Sequence, residues 1–162
     1  MAIFYGDGSN SNAGRIIQVV TGVRTSVFST TSSSFTDIGL SASITPKESA
    51  SKILIFLTIY SSCNDIHSQR LLRGSTAIEV GDSSGSRSRG FGGGFFCGED
   101  ADIGTMSGTF IDSPNTTSST TYKVQTLVGG GGTVFYGRDK TNGNNFQHTR
   151  SIQIITLMEI AV

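Results

Sequence analysis

With 162 residues and a formal net charge of +0, from 12 basic and 12 acidic side chains scattered along it, the chain has room for one ordinary domain. It shows no electrostatic footprint for nucleic acid or an anionic membrane. Glycine is frequent (21 residues), proline rare (2), serine and threonine abundant and helix formers scarce, which excludes a helical protein and predicts a nearly all-β one.

Residues Met1 to Gly14 open with an apolar cluster, Ile3-Phe4-Tyr5, and continue as a polar, glycine-containing tether, which predicts a flexible arm that is either a disordered leader or an anchor docking on a partner through its apolar tip. The domain proper is expected over 15–162. Arg15–Val20 and Thr25–Thr30 read as the first two strands. In Phe35–Ile44 the residues Ile38, Leu40, Ala42 and Ile44 alternate with small polar ones, the pattern of a half-exposed antiparallel strand stopped at Thr45-Pro46. Ser51–Tyr60 is the only long apolar run. Its β-branched and aromatic content predicts a central strand, with Ile53, Ile55, Leu57 and Ile59 on one face and Leu54, Phe56, Thr58 and Tyr60 on the other.

Two shorter strands follow, His67–Arg73 and Thr76–Val80. Gly81 to Gly104 is too polar and glycine-rich for a core layer and reads as a long exposed excursion. Thr105–Ile111, Thr121–Val128 and Thr133–Tyr136 are further strands, and a second excursion, Gly137 to Arg150, contains the turn pair Asn142-Gly143. Ser151–Ile160 closes the chain as a strand with apolar residues on both faces. Nine to ten short strands at roughly 8–12-residue spacing predict an antiparallel, jelly-roll-like β-sandwich, with the first and last strands paired.

Chemistry is thin. Cys63 and Cys97 form neither a disulfide framework nor a Cys-x-x-Cys pair, and read as reduced, mostly buried thiols. The N-terminus lacks a signal-peptide pattern, and no apolar run reaches the roughly 20 residues of a membrane-spanning helix, so a soluble protein folded in a reducing compartment is expected. His67 and His148 are far apart in sequence and read as exposed strand and loop histidines. Gly90–Gly98 lacks the ending of a phosphate loop, and Glu99, Asp100 and Asp102 read as a solvated acidic turn. No catalytic residue, metal or cofactor is expected. The excursions instead carry Arg87, Arg89, Phe91, Phe95, Tyr136, Arg138 and Asn142, residue types that stack and hydrogen-bond on sugars or protein surfaces, or that pack on the sandwich itself.

The stretches Ile16-Ile-Gln-Val-Val, Phe28 to Pro46 and Ser51-Lys-Ile-Leu-Ile, with Phe110-Ile-Asp-Ser-Pro114, Thr121-Tyr-Lys-Val124 and Ile154 to Ile160, resemble a small β module of tailed-bacteriophage virion proteins. That module is found especially in cyanobacterial and marine phages, and the resemblance covers about Arg15 to Val162. It implies a non-enzymatic virion-surface protein, a short tail fibre or capsid decoration protein, made in the host cytoplasm. It also implies assembly as a homotrimer, with the arm docking on other virion proteins. The two-faced strands suggest a trimer interface through Leu54, Phe56, Ile155 and Leu157. The alternative expectation is a carbohydrate-binding module that recognises host-surface polysaccharide through the loop residues, with Phe91 and Tyr136 foremost; a polysaccharide depolymerase ranks third.

Overall fold

The computed structural model describes residues 13–95 and 102–162, which hold eleven strands and no helix. In chain order these are β1 (Ile16–Arg24), β2 (Phe28–Thr30), β3 (Thr36–Ile44), β4 (Lys52–Cys63), β5 (His67–Arg73) and β6 (Thr76–Ile78). After them come β7 (Gly92–Phe95), β8 (Gly104–Asp112), β9 (Thr120–Val128), β10 (Val134–Tyr136) and β11 (Gln153–Ile160). Sheet A runs β1-β11-β4-β10-β2, with β8 on the other edge of β4; sheet B runs β3-β9-β5-β6, with β7 also on β5. All pairings are antiparallel, consistent with a β-sandwich.

Period-two alternation builds the core. Ile38, Leu40 and Ile44 of β3, Tyr122 and Val124 of β9 and Leu71 of β5 face Ile53, Ile55, Leu57 and Ile59 of β4 and Ile155 and Leu157 of β11, all essentially free of solvent. The expected pairing of first and last strands is present, Val20 lying opposite Leu157 and Val23 opposite Ile154. Beyond the ladder, the Gly14 N–H donates to the Ala161 carbonyl (2.8 Å) and the Ala161 N–H to Arg15 (2.9 Å), so this end is tied down.

One side of the sandwich closes where β1 meets β3. A Cβ on Gly22 would lie 2.1 Å from the Ser41 carbonyl oxygen, so only glycine permits the approach of the two backbones. On the other side Phe91 packs edge-on against Phe110 of β8, ring centroids 5.5 Å apart. Residues 81–89 of the glycine-rich excursion are exposed as expected, but its end adds a short strand to sheet B and packs Phe91 against the core. Glycines of β7 pair with Ser68 and Gln69 of β5, where bulkier residues would strike Ser68 or Met106.

Polar side chains finish the edges. The Gln153 side chain accepts the Tyr60 N–H (2.7 Å) and donates to the Tyr60 carbonyl (3.0 Å). It thereby bridges the gap on β4 between the residues paired to β11, ending at Thr58, and those paired to β10, starting at Ser61. Asp112 of β8 joins the two sheets, taking the Tyr122 hydroxyl (2.6 Å) and the Arg73 guanidinium (2.8 Å). His67, expected on an exposed strand surface, is buried. It shares the inner face of β5 with Gln69 and Leu71, and its Nε2 lies 3.2 Å from the Ser61 hydroxyl.

Glu159 is a buried carboxylate on the inner side of β11. It accepts Gln18 Nε2 (2.6 Å) and the N–H groups of Lys47 (2.7 Å) and Glu48 (3.3 Å). Burial alone would raise its pKa, but these donors outweigh burial and hold it below the ordinary value of 4.5. A folded-state pKa below the unfolded one means that the stabilisation is complete above about pH 4.5 and is lost as pH falls through the folded value. Glu159→Gln is expected to cost about 2 kcal/mol at pH 7, because an amide turns a donor towards donors, and to shrink the difference in urea midpoint between pH 7 and pH 3.5. An unchanged acid limb in the variant would refute this role.

Candidate assembly face

The outer faces of the two sheets differ in kind. On sheet B, Lys123 donates to Asp37 (2.7 Å), Arg70 donates twice to Gln125 (2.7 and 3.0 Å) and stacks over Phe35 (3.9 Å to the centroid), and Ser43 meets Thr121 (2.7 Å). Burial would raise the Asp37 carboxyl, yet the Lys123 and Gln125 hydrogen bonds and the nearby positive charges outweigh it and lower its pKa. This is a surface built for water.

On sheet A the register places apolar residues abreast. Val19, Met158, Leu54 and Ile111 stand in one row across β1, β11, β4 and β8. The next row is Thr21, Thr156, Phe56 and Thr109, and the one after it Val23, Ile154, Thr58 and Ser107. Towards the termini, Ile16 and Ile160 sit beside Lys52, the single charged residue among the outward positions of these four strands. Val19 and Val23 are each 53 % exposed, Ile111 55 % and Phe56 39 %. With strands ~4.8 Å apart and ~3.4 Å per residue, three rows and their margins cover roughly 300–400 Å². Seven of the twelve positions in these rows are apolar and five are Thr or Ser, so the apolar patch is only a part of that area, centred on the row Val19–Met158–Leu54–Ile111; exposed patches of this kind mark interaction sites.

The structure divides the four expected interface residues. Leu54 and Phe56 point outward in the middle of this face. Ile155 and Leu157 do not: both are 0 % exposed and pack in the core, because Leu157 lies opposite Ile55 and shares its inward side. The outward residues of β11 are Ile154, Thr156, Met158 and Ile160. Ile3, Phe4 and Tyr5 lie outside the described residues, as do Cys97, Glu99 and Asp100.

The expected recognition residues are not brought together. Phe91 seals the side of the sandwich, and Tyr136 is fully buried, its hydroxyl accepting Gln69 Nε2 at 3.1 Å. Burial pushes the Tyr136 phenol above its ordinary pKa. Arg138 stacks on Phe135 (4.2 Å) and donates to the carbonyls of Asp139 and Lys140 (3.0 and 3.1 Å), bracing its own loop. Asn142, at φ 56°, donates its N–H to the buried Asp139 carboxylate, which also holds His148 Nδ1 at 3.0 Å. Burial would raise Asp139, but the Asn142 and His148 hydrogen bonds outweigh it and its pKa is lowered. Arg87 and Arg89 bond to Ser84 (2.7 Å) and to the Gly81 carbonyl (2.6 Å) within their own loop. The backbone of Phe95 pairs with His67; its side chain lies outside the described set.

No group of three or more metal-ligating side chains occurs among the described residues. No helix among them is long and apolar enough to cross a membrane. The chain matches no family model and no curated protein sequence.

Proposed function

We propose that this protein is a non-enzymatic structural module that assembles with copies of itself through the outer face of sheet A. The observation that carries the reading is the row Val19–Met158–Leu54–Ile111 and its neighbours, set against the hydrogen-bonded polar outer face of sheet B. Side chains of this kind each gain on the order of 1.5–3 kcal/mol when fully covered, and copies arranged about an axis cover the same patch on every subunit. A jelly roll is the finer reading of the fold. It is supported by a strand order in which β1, β11, β4 and β8 lie in one sheet and β3, β9, β5 and β6 in the other, the chain crossing between sheets at β3–β4, β4–β5 and β8–β9. Both histidines are engaged structurally, His67 with Ser61 and His148 with Asp139, which favours a structural over a catalytic role.

The phage-module resemblance supplies the rest of the proposal: three copies, a place on a virion surface as a short fibre or decoration protein, and contacts to other virion proteins through the arm. Multi-angle light scattering at micromolar concentration should return three times the 17.1 kDa chain mass. A monomer at that concentration would overturn assembly, and a dimer would overturn the three-fold arrangement while leaving the face in place.

A further inference from the structure

The apolar patch on sheet A, a part of roughly 300–400 Å², is well short of the ~800 Å² per partner that a standard interface buries. The face continues beyond its three rows, however. At the end away from the chain termini, the outward Tyr60 of β4 and Thr105 of β8 stand opposite each other, and with Ile103 and Ile152 they wall a hollow of about 530 Å³. A cavity of roughly 150 Å³ already takes a benzene ring, so the hollow has room for an aromatic side chain and part of the turn that carries it. Ile152 is 43 % exposed, which leaves this apolar wall open to water.

Phe146 supplies a ring of the right kind. It is the most exposed large apolar side chain among the described residues, at 97 %, so it does not fill the hollow of its own protomer. Its backbone is nevertheless held. The His148 N–H donates to the Asn145 carbonyl (3.2 Å) and the Gln147 N–H to the Asn145 side-chain oxygen (3.0 Å), which makes a tight turn with Phe146 at its first corner. His148 Nδ1 lies 3.0 Å from the buried Asp139 carboxylate, which also takes the Asn142 N–H, and the Ser151 N–H closes the base of the loop on the Gly137 carbonyl (3.2 Å). A phenylalanine on a braced turn loses little conformational freedom on docking and has roughly 150–250 Å² of surface to bury. Thr149 and Arg150 of the same loop line one side of the hollow, so knob and hole are neighbours at one end of the face.

We infer that Phe146 of one copy inserts into the hollow walled by Tyr60, Ile103 and Ile152 of the next copy. The inference rests on the proposed self-assembly through sheet A and names the anchor at the end of that contact. A knob and a hole at separate places on one chain make a head-to-tail contact, which closes into a ring when repeated about an axis. The inserted ring meets an aromatic ring and two isoleucines, and it brings the loop of one protomer onto the end of its neighbour's face, adding area that the rows alone lack. An aromatic side chain seated in a pocket is the usual form of a residue that dominates an interface.

The chain has no tryptophan, so Phe146→Trp places a single indole at the knob. In the assembled full-length protein its emission is expected at shorter wavelength than that of N-acetyltryptophanamide, with protection from acrylamide quenching. Phe146→Ala should leave the circular dichroism spectrum unchanged and weaken association, read by light scattering across a dilution series, roughly thirtyfold or more. Ile152→Ala should weaken it less, and the double variant should lose less than the sum of the two because the side chains touch across the contact. A water-exposed indole in an assembly of wild-type mass, a Phe146→Ala chain that associates like the wild type, or strictly additive losses would each overturn the knob and leave the sheet A face standing. A wild-type chain that is a monomer at micromolar concentration would overturn both.

Discussion

Leu157→Asp is expected to yield no folded protein. Leu157 is wholly buried, with Ile55 and Val20 opposite it on the neighbouring strands, in a cluster of isoleucine, leucine and valine that offers a carboxylate no donor. Removing a packed leucine costs roughly 2–5 kcal/mol, and an unpaired buried charge adds several more, which together consume most or all of the ~5–15 kcal/mol that holds a domain folded. Circular dichroism and the soluble yield should show an unfolded or aggregated chain. Leu157→Ala should still fold, with a urea midpoint lowered in line with the cavity it leaves. A folded Leu157→Asp with a wild-type midpoint would place Leu157 outside the core and contradict the side assigned to every residue of β11.

The same strand shows where sequence pattern stops being informative. In β3 the inward Ile38, Leu40, Ala42 and Ile44 alternate with small polar residues, so the pattern alone identifies the buried side, and β9 reads equally well through Tyr122, Val124 and Thr126. In β11 the inward set is Gln153, Ile155, Leu157 and Glu159, and the outward set is Ile154, Thr156, Met158 and Ile160. The buried side is the more polar of the two, which is why the pattern alone sends Ile155 and Leu157 outward. Two tertiary facts reverse the expectation: Gln153 replaces missing backbone partners on β4, and Glu159 gathers donors from β1 and from the loop before β4.

Neither fact is local in sequence, since Gln153 bonds a residue 93 positions away and Glu159 one 141 positions away. The same holds for the loops. Phe91 and Tyr136 look like recognition aromatics because they sit among Gly, Arg and Asp, yet the void between the sheets is what each of them fills. The face itself was half legible. Leu54 and Phe56 emerge from the alternation of β4, whereas Val19, Met158 and Ile111 acquire meaning only from a register that sets four distant strands side by side.

Leu54→Asp should produce the opposite outcome to Leu157→Asp: a folded chain that no longer assembles. Leu54 is half-buried at the centre of the outer row, between Met158 and Ile111, so in an isolated protomer an aspartate there reaches water and costs only the ~1 kcal/mol spread of β-propensities. In the assembly the same side chain faces a neighbour's apolar rows. It forgoes the 1.5–3 kcal/mol of a buried leucine and adds the desolvation of a carboxylate, roughly 3 kcal/mol or more per protomer and over a hundredfold in association. Light scattering should fall to the single-chain mass while the circular dichroism spectrum stays that of the wild type. Ser43→Asp, on the polar outer face of sheet B, should change neither, because that face already carries Asp37 and its partners in water. If Leu54→Asp kept the oligomer mass, the outer face of sheet A would not be where the copies meet. If Ser43→Asp alone dissolved the oligomer, the contact would belong to sheet B.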